Sequence, residues 1–253
     1  MLNVVKIIVL AVFVGFAVTT LANLGTTIYL HRALAHKALT LHPFVVFCAR
    51  FTIWLSTGIR PRQWVAVHRK HHAFTDQEGD PHSPVLLGWK NVQMRNVVLY
   101  RSAANDPQTV ERYAKDLPQT RLDRLFFDRA LVGLGLGVAL LVITFGPLVG
   151  LLAALVHLNA YLAGSAAVNA IAHHFGRRPY ANGAGNLQWL ALLTAGEGLH
   201  NNHHAAPTSA RLSHRWYELD PGWWLIKFLS SVRLARVRLA TVRLKSSAHH
   251  VSA

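Results

Sequence analysis

Four histidine clusters stand out in this chain: His31-Arg-Ala-Leu-Ala-His36, His68-Arg-Lys-His71-His72, Asn169-Ala-Ile-Ala-His173 and His200-Asn-Asn-His203-His204. On a helix, H-x-x-H-H places residues i, i+3 and i+4 on one face, and Asn169 and His173 are likewise i and i+4. The i, i+5 pair of the first cluster suits a helix end reaching around a site. With 16 His in 253 residues, one H-x-x-H-H is expected by chance about 0.06 times. Two copies beside two further boxes are therefore not coincidence. Nine histidines buried singly would each need a polar partner. A shared metal meets that need, because neutral imidazoles direct lone pairs at an ion while their other N–H groups go to carboxylates or carbonyls. Nine exceed one octahedral shell, which makes two metals the economical number. Cys48 is the single cysteine, so ligation is thiolate-free, suits iron, copper or zinc, and leaves no disulfide framework. Asp76, Glu78, Asp80 and Glu197 are the nearby carboxylates for the outer N–H groups, and Glu197 precedes His200 by three residues.

Apolar segments position the boxes. Residues 7–30, 130–145 and 147–172 contain no charged side chain. The first reads as a spanning helix, and the other two, parted by Gly146-Pro147, as a helical hairpin. Stretches 43–59, interrupted by Arg50, and 187–194 are shorter. Residues 60–129 carry twelve Lys/Arg against eight Asp/Glu, and residues 171–253 carry ten against three. The positive-inside rule puts both regions in the cytoplasm, joined by the uncharged hairpin. That placement absorbs much of the +15 net charge of a chain that is 52% hydrophobic and 15% charged. It sets aside nucleic-acid binding, disorder and an acidic interaction protein. A cleaved signal peptide is disfavoured, because the apolar run continues to Leu30 without a clear cleavage site. For the four boxes to share one site they must lie on one side, so 43–59 and 187–194 cannot cross. The expected fold is an all-α integral membrane protein, a single domain over 1–253. Spanning helices occupy 7–30 and the 130–172 hairpin, and interfacial helices occupy 43–59 and 187–197. Residues 60–129 and 173–253 form a cytoplasmic helical cap that ends in a basic tail.

The order HxxxxH, HxxHH, NxxxH, HxxHH resembles the signature of the membrane-bound fatty acid desaturase family, and within it the acyl-CoA, stearoyl-CoA-like branch. Gly79-Asp80-Pro81-His82 and Gly196-Glu197-Gly198 look alike too, and the resemblance runs from about Thr26 to about Leu229. It implies a non-haem diiron centre held by His31, His36, His68, His71, His72, His173, His200, His203 and His204, with Asn169 reaching one iron through water. Dioxygen is the implied co-substrate. The implied reaction removes two hydrogens from adjacent methylenes of a long saturated acyl chain, linked to CoA or to a lipid. A cis double bond of the Δ9 type results. Unactivated C–H bonds offer no acid/base handle, so a metal oxidant is needed and the protein supplies positioning. In that branch a tryptophan at the position of Trp64 lines a bent acyl tunnel. The aromatic residue usual before the NxxxH box is missing, and Ser165, Ala166 and Ala167 are small. No haem-binding domain is fused, so a separate electron-transfer protein with its reductase is the implied donor. The family's usual four spans form two hairpins, whereas the thirty residues before His31 hold one helix.

Asp76, Asp80, His82 and Glu197 are read as supports of the ligands. His157, inside the second hairpin helix with Asn159, is read as packing through a hydrogen bond. His174 is read as interfacial or capping, and His42, His214, His249 and His250 as surface or tail residues. Arg69, Lys70, Lys90 and Arg95 form either a site for head-group phosphates or a solvated positive-inside loop. Residues 232–245 read as an amphipathic stretch on anionic membrane lipid. Two other functions remain open from the residues. One is a diiron hydroxylase of an apolar substrate, told apart by an added oxygen. The other is a metal transporter, against which counts that mid-span holds only His157.

Overall fold

The computed structural model describes residues 2–238. In chain order it comprises α1 (Leu2–Gly25), running directly into a π-helical segment (Thr26–Ala35), β1 (Leu39–Leu41), α2 (Pro43–Ser56), α3 (Pro61–Phe74), α4 (Pro84–Leu87), α5 (Trp89–Ala104), α6 (Pro107–Tyr113), a short π turn (Asp123–Phe127), α7 (Ala130–Phe145), α8 (Pro147–Asn169), α9 (Gln188–Leu193), α10 (His200–Ala205), α11 (Pro221–Ser231) and β2 (Ala235–Val237). Proline opens α2, α3, α4, α6, α8 and α11, where its fixed φ suits the first turn and its missing N–H is not needed. Ser83, Asp106 and Asp220 cap the helices that follow them by accepting from Leu86, Gln108 and Trp223 N–H groups.

Helices α1, α2, α7 and α8 form one bundle: α8 lies along α1 and folds back on α7, while α2 closes against α1 and α7. Glycine sets the spacing. A Cβ at Gly133 would stand 2.4 Å from the Trp54 carbonyl oxygen and one at Gly137 2.1 Å from that of Leu55, so α7 approaches α2 backbone to backbone. Outward side chains of the bundle are apolar and exposed, among them Phe13, Leu131 and Ile143. Arg50, the charge inside α2, pairs with Asp123 and lies over the Phe127 ring at 4.3 Å, both on the short π turn. The cap is built at one end of this bundle. There α3 packs on α6 and on the π-helical segment, and α5 packs on α8 and α3. β1 pairs antiparallel with β2, Leu39 opposite Val237, over a core of Ile28, Ala38, Leu39, Ala210 and Ile226.

Several boundaries differ from the sequence expectation. Among the described residues, two helices are long and apolar enough to cross a membrane, Asn3–Ala35 at 33 residues and Pro147–Asn169 at 23, whereas three spans were expected. The third, α7, has 16 residues, about 24 Å at 1.5 Å per residue against a hydrocarbon core of about 30 Å. The helix expected at 187–197 stops at Leu193, because Ala195 (φ 53°) and Gly196 (φ 111°) turn left-handed. The helix expected at 43–59 stops at Ser56, before Gly58 at φ 63°. The all-α expectation gives way at the β1–β2 ribbon, which takes residues 235–237 out of the proposed amphipathic stretch. The remainder of that stretch beyond residue 238, with His249 and His250, lies outside the described residues.

Candidate metal centre

The first box owes its geometry to the π-helical segment. In an α-helix, residues five apart point about 140° away from each other. Here the backbone bonds i to i+5, His36 N–H donating to the His31 carbonyl at 3.1 Å, and the two rings meet with centroids 4.8 Å apart. The second box rides on α3 and the fourth on α10. The third departs from expectation: α8 ends at Asn169, and the chain reaches His173 through wider turns, with Ala172 N–H donating to the Ala167 carbonyl.

Nine histidines converge in two groups, within each of which the donor atoms lie within 4.8 Å of one another. His31, His36, His68, His72 and His203 form the first; His71, His173, His200 and His204 form the second. Each HxxHH box is thus divided. His68 and His72, one turn apart on α3, serve the first group while His71 serves the second; on α10, His200 and His204 serve the second while His203 crosses to the first. Stacking of His72 on His204, centroids 4.6 Å apart, joins the groups.

The donor chemistry fits metal ions. Three rings give their Nδ1–H to a carboxylate: His31 to Glu197 at 2.8 Å, His71 to Asp80 at 3.0 Å and His173 to Asp76 at 3.0 Å. That bond fixes the tautomer and leaves the Nε2 lone pair facing inward. The Nε2 atoms then crowd without enough protons to pair them. His203 Nε2 faces both His31 Nε2 at 3.1 Å and His72 Nε2 at 2.8 Å. The Nε2 of His173 is buried with no partner at all. A cation among the lone pairs satisfies them. Burial, aided by mutual repulsion, lowers the pKa of His36, His68, His72, His200, His203 and His204 well below the ordinary value, which keeps them neutral and able to ligate. Burial works against the charge of Asp80, but the His71 bond and the neighbouring histidines hold it down at about 2.

A cavity of about 570 Å³ adjoins the centre, within the range of about 300–1,000 Å³ usual for ligand sites. It is lined by His31, His68 and His200 and also by Gly58, Ala130 and Leu134. Trp64 and Ser165, expected in a tunnel wall, both line it, and Trp64 stacks on His68 with centroids 4.9 Å apart. Asn169 lines it too, its amide donating to Asn96 at 3.2 Å. His82 stacks on His71 at 4.6 Å, and Glu78 is exposed. His157 bridges the bundle, its Nε2–H donating to the Ser56 carbonyl at 2.8 Å and its Nδ1 meeting the Thr19 hydroxyl at 3.0 Å.

The four basic residues singled out for a head group divide. Arg69 is spent internally, donating to the Leu34, Ala35 and Tyr113 carbonyls and to Asp116, and Lys70 donates to Thr109. Lys90 and Arg95 are exposed and do not line the cavity. The cations that do are Arg60 and Arg101, both exposed, beside Gln63. They were missed in sequence, although Arg60 sits one helical turn before Trp64.

A family model described as fatty acid desaturase matches residues 7–231. The Delta-9 acyl-lipid desaturase 2 of Arabidopsis thaliana is 32% identical over 240 residues, covering 89% of this chain and 73% of that protein. The sn-1 stearoyl-lipid 9-desaturase of Synechocystis is 31% identical over 222 residues, covering 85% and 67%. An acyl-CoA C20 Delta5-desaturase of Anemone leveillei is 31% identical over 222 residues, covering 83% and 68%.

Proposed function

The chain belongs to the fatty acid desaturase family and is a fatty acyl desaturase, and from this premise we propose that its two histidine groups hold a pair of iron ions that desaturate a long acyl chain lying in the adjoining cavity. The observation that carries the reading is the meeting of inward Nε2 lone pairs with a cavity walled by Trp64 and Ser165. Bound iron would supply the activation of dioxygen that unactivated C–H bonds require, with two external electrons and two protons completing the reduction of dioxygen to water as the acyl chain loses two hydrogens.

The chain's own residues do the rest. Glu197, Asp80 and Asp76 hold the tautomers of His31, His71 and His173. Asn169 supports the second group through water. Trp64 and Ser165 orient the acyl chain, and the burial of the centre excludes bulk water. Arg60 and Arg101, exposed at the cavity's edge, meet the polar head of a lipid-linked or CoA-linked substrate. The double bond forms at the Δ9 position, the regiochemistry named for two of the relatives. All described elements act as one desaturase unit, with α1, α7 and α8 in a membrane and the histidine centre on its cytoplasmic face. Electrons arrive from a separate carrier with its reductase. Arg177, Arg178, Arg211 and Arg215 suit an acidic partner: they form no ion pair among the described residues. Their loops hydrogen-bond Asn201 and Asn202, next to His200 and His203.

Expression with a suitable electron donor, followed by fatty-acid profiling of the host, tests the reading. A new monounsaturated chain that depends on oxygen and iron is expected. Unchanged lipids, or a chain carrying an added hydroxyl, would overturn it. Replacing Arg60 and Arg101 with Ala is expected to raise KM for the acyl substrate more than it lowers kcat; an unchanged KM would place the head group elsewhere.

A further inference from the structure

The ring of His31 is held by more than Glu197. Behind it lies a chain of buried groups. Arg32 is 1% exposed and Asp220 fully buried. The guanidinium uses all five of its N–H groups: Nε to Thr27 Oγ1 at 3.1 Å, Nη1 to the Ala210 carbonyl at 2.8 Å and Asp220 at 3.2 Å, and Nη2 to the Ala195 carbonyl at 3.3 Å and Asp220 at 2.8 Å. Asp220 also accepts the backbone N–H groups of Leu212, Ser213 and Trp223.

Because arginine has no acceptor, the bond from Arg32 to Thr27 can run only one way. Thr27, fully buried, must therefore send its single hydroxyl proton to Glu197, whose Oε1 it contacts. Glu197 in turn accepts from His31 Nδ1 at 2.8 Å. Donor directions are thus set along the whole line from Asp220 to the imidazole. The same π-helical backbone that brings His31 to His36 brings Thr27 to Arg32, again five residues on. The loop carrying Glu197 is fitted to the ion pair: a Cβ on Gly196 would meet Asp220 Oδ1 at 2.4 Å and Arg32 Nη2 at 2.6 Å. The carboxylates of the other two rings are supported differently, Asp80 by the Asp76 and His82 backbone N–H groups and Asp76 by the Ser83 hydroxyl.

We propose that Arg32, locked to Asp220, is a positioning residue for the five-histidine group, acting through Thr27 and Glu197 to fix the His31 ring with its Nε2 turned inward. The proposal rests on the metal-centre reading above and adds to it a site-selective control of one of the two metals.

Cobalt(II) titration of the purified metal-free protein, followed by visible absorption, tests it. Wild type is expected to bind two ions tightly. Thr27→Val, which keeps the volume and removes the hydroxyl, is expected to weaken one ion by about tenfold or more and leave the affinity for the other unchanged. Thr27→Ser is expected to restore the affinity, and Arg32→Lys to reproduce the selective loss. If Thr27→Val binds both ions as wild type does, or weakens both together with a fall in melting temperature, the proposal is overturned while the metal-centre reading stands. If wild type itself binds no cobalt tightly, the metal-centre reading falls and the proposal with it.

Discussion

At the scale of residues, the centre works by dividing protons. Each ring that gives its Nδ1–H to a carboxylate offers Nε2 inward, and neutral imidazole is secured for the others by burial. His71→Ala or His203→Ala is expected to abolish desaturation and lower bound iron while membrane insertion persists; metal analysis of membranes and purified protein checks it. Asp80→Asn preserves shape but weakens the hold on His71, and a loss of about 10–100-fold in activity or iron affinity is expected. Asp220→Ala leaves Arg32 buried and uncompensated, for a cost of about 3–5 kcal/mol in stability, read as a lowered thermal midpoint. That these nine histidines could converge was legible in the sequence because HxxHH spacing is a direct geometric statement. Which histidine serves which group was not. That division depends on how α3 and α10 face each other, and no local pattern encodes it. Arg32 and Asp220, 188 residues apart, were invisible for the same reason.

At the scale of elements, close backbone approach is the recurring device. Gly133 and Gly137 bring α7 onto the carbonyls of Trp54 and Leu55, whereas a Cβ at Gly135 would meet nothing within 4 Å. Gly133→Ala or Gly137→Ala is expected to cost about 1–3 kcal/mol by overpacking, and Gly135→Ala to be neutral or slightly stabilising; thermal unfolding in detergent distinguishes them. The apolar runs and the Gly146-Pro147 break were readable because hydropathy and glycine–proline turns are local. The π-helical segment was not. Its sequence, Thr26–Ala35, carries no marker that separates i to i+5 bonding from ordinary helix, and only the need to align His31 with His36 hinted at it. Helix ends were misplaced where a left-handed residue that is not glycine, Ala195, ended α9 early.

At the scale of the molecule, an apolar bundle carries a cap that encloses nine converging histidines. Six of those rings have pKa values pressed below the ordinary 6.5 by burial. Once pH falls below that value, the unfolded chain takes up protons that the folded site refuses, so stability falls with pH. The metal-free protein is expected to show a steadily lower melting temperature from about pH 7 down to about pH 5, and bound iron should raise the midpoint by mass action. Clustering of charge on either side of the hairpin was readable in the sequence, whereas against the three spans expected, two helices among the described residues are long and apolar enough to cross a membrane and α7 has 16 residues. The most direct test of the central claim is the iron content per chain after anaerobic reconstitution, measured for wild type, His36→Ala and His200→Ala. The account predicts two irons in wild type and one in each variant, since each substitution opens a different group. An active wild-type protein with one iron or none, or a variant that keeps both, would contradict it.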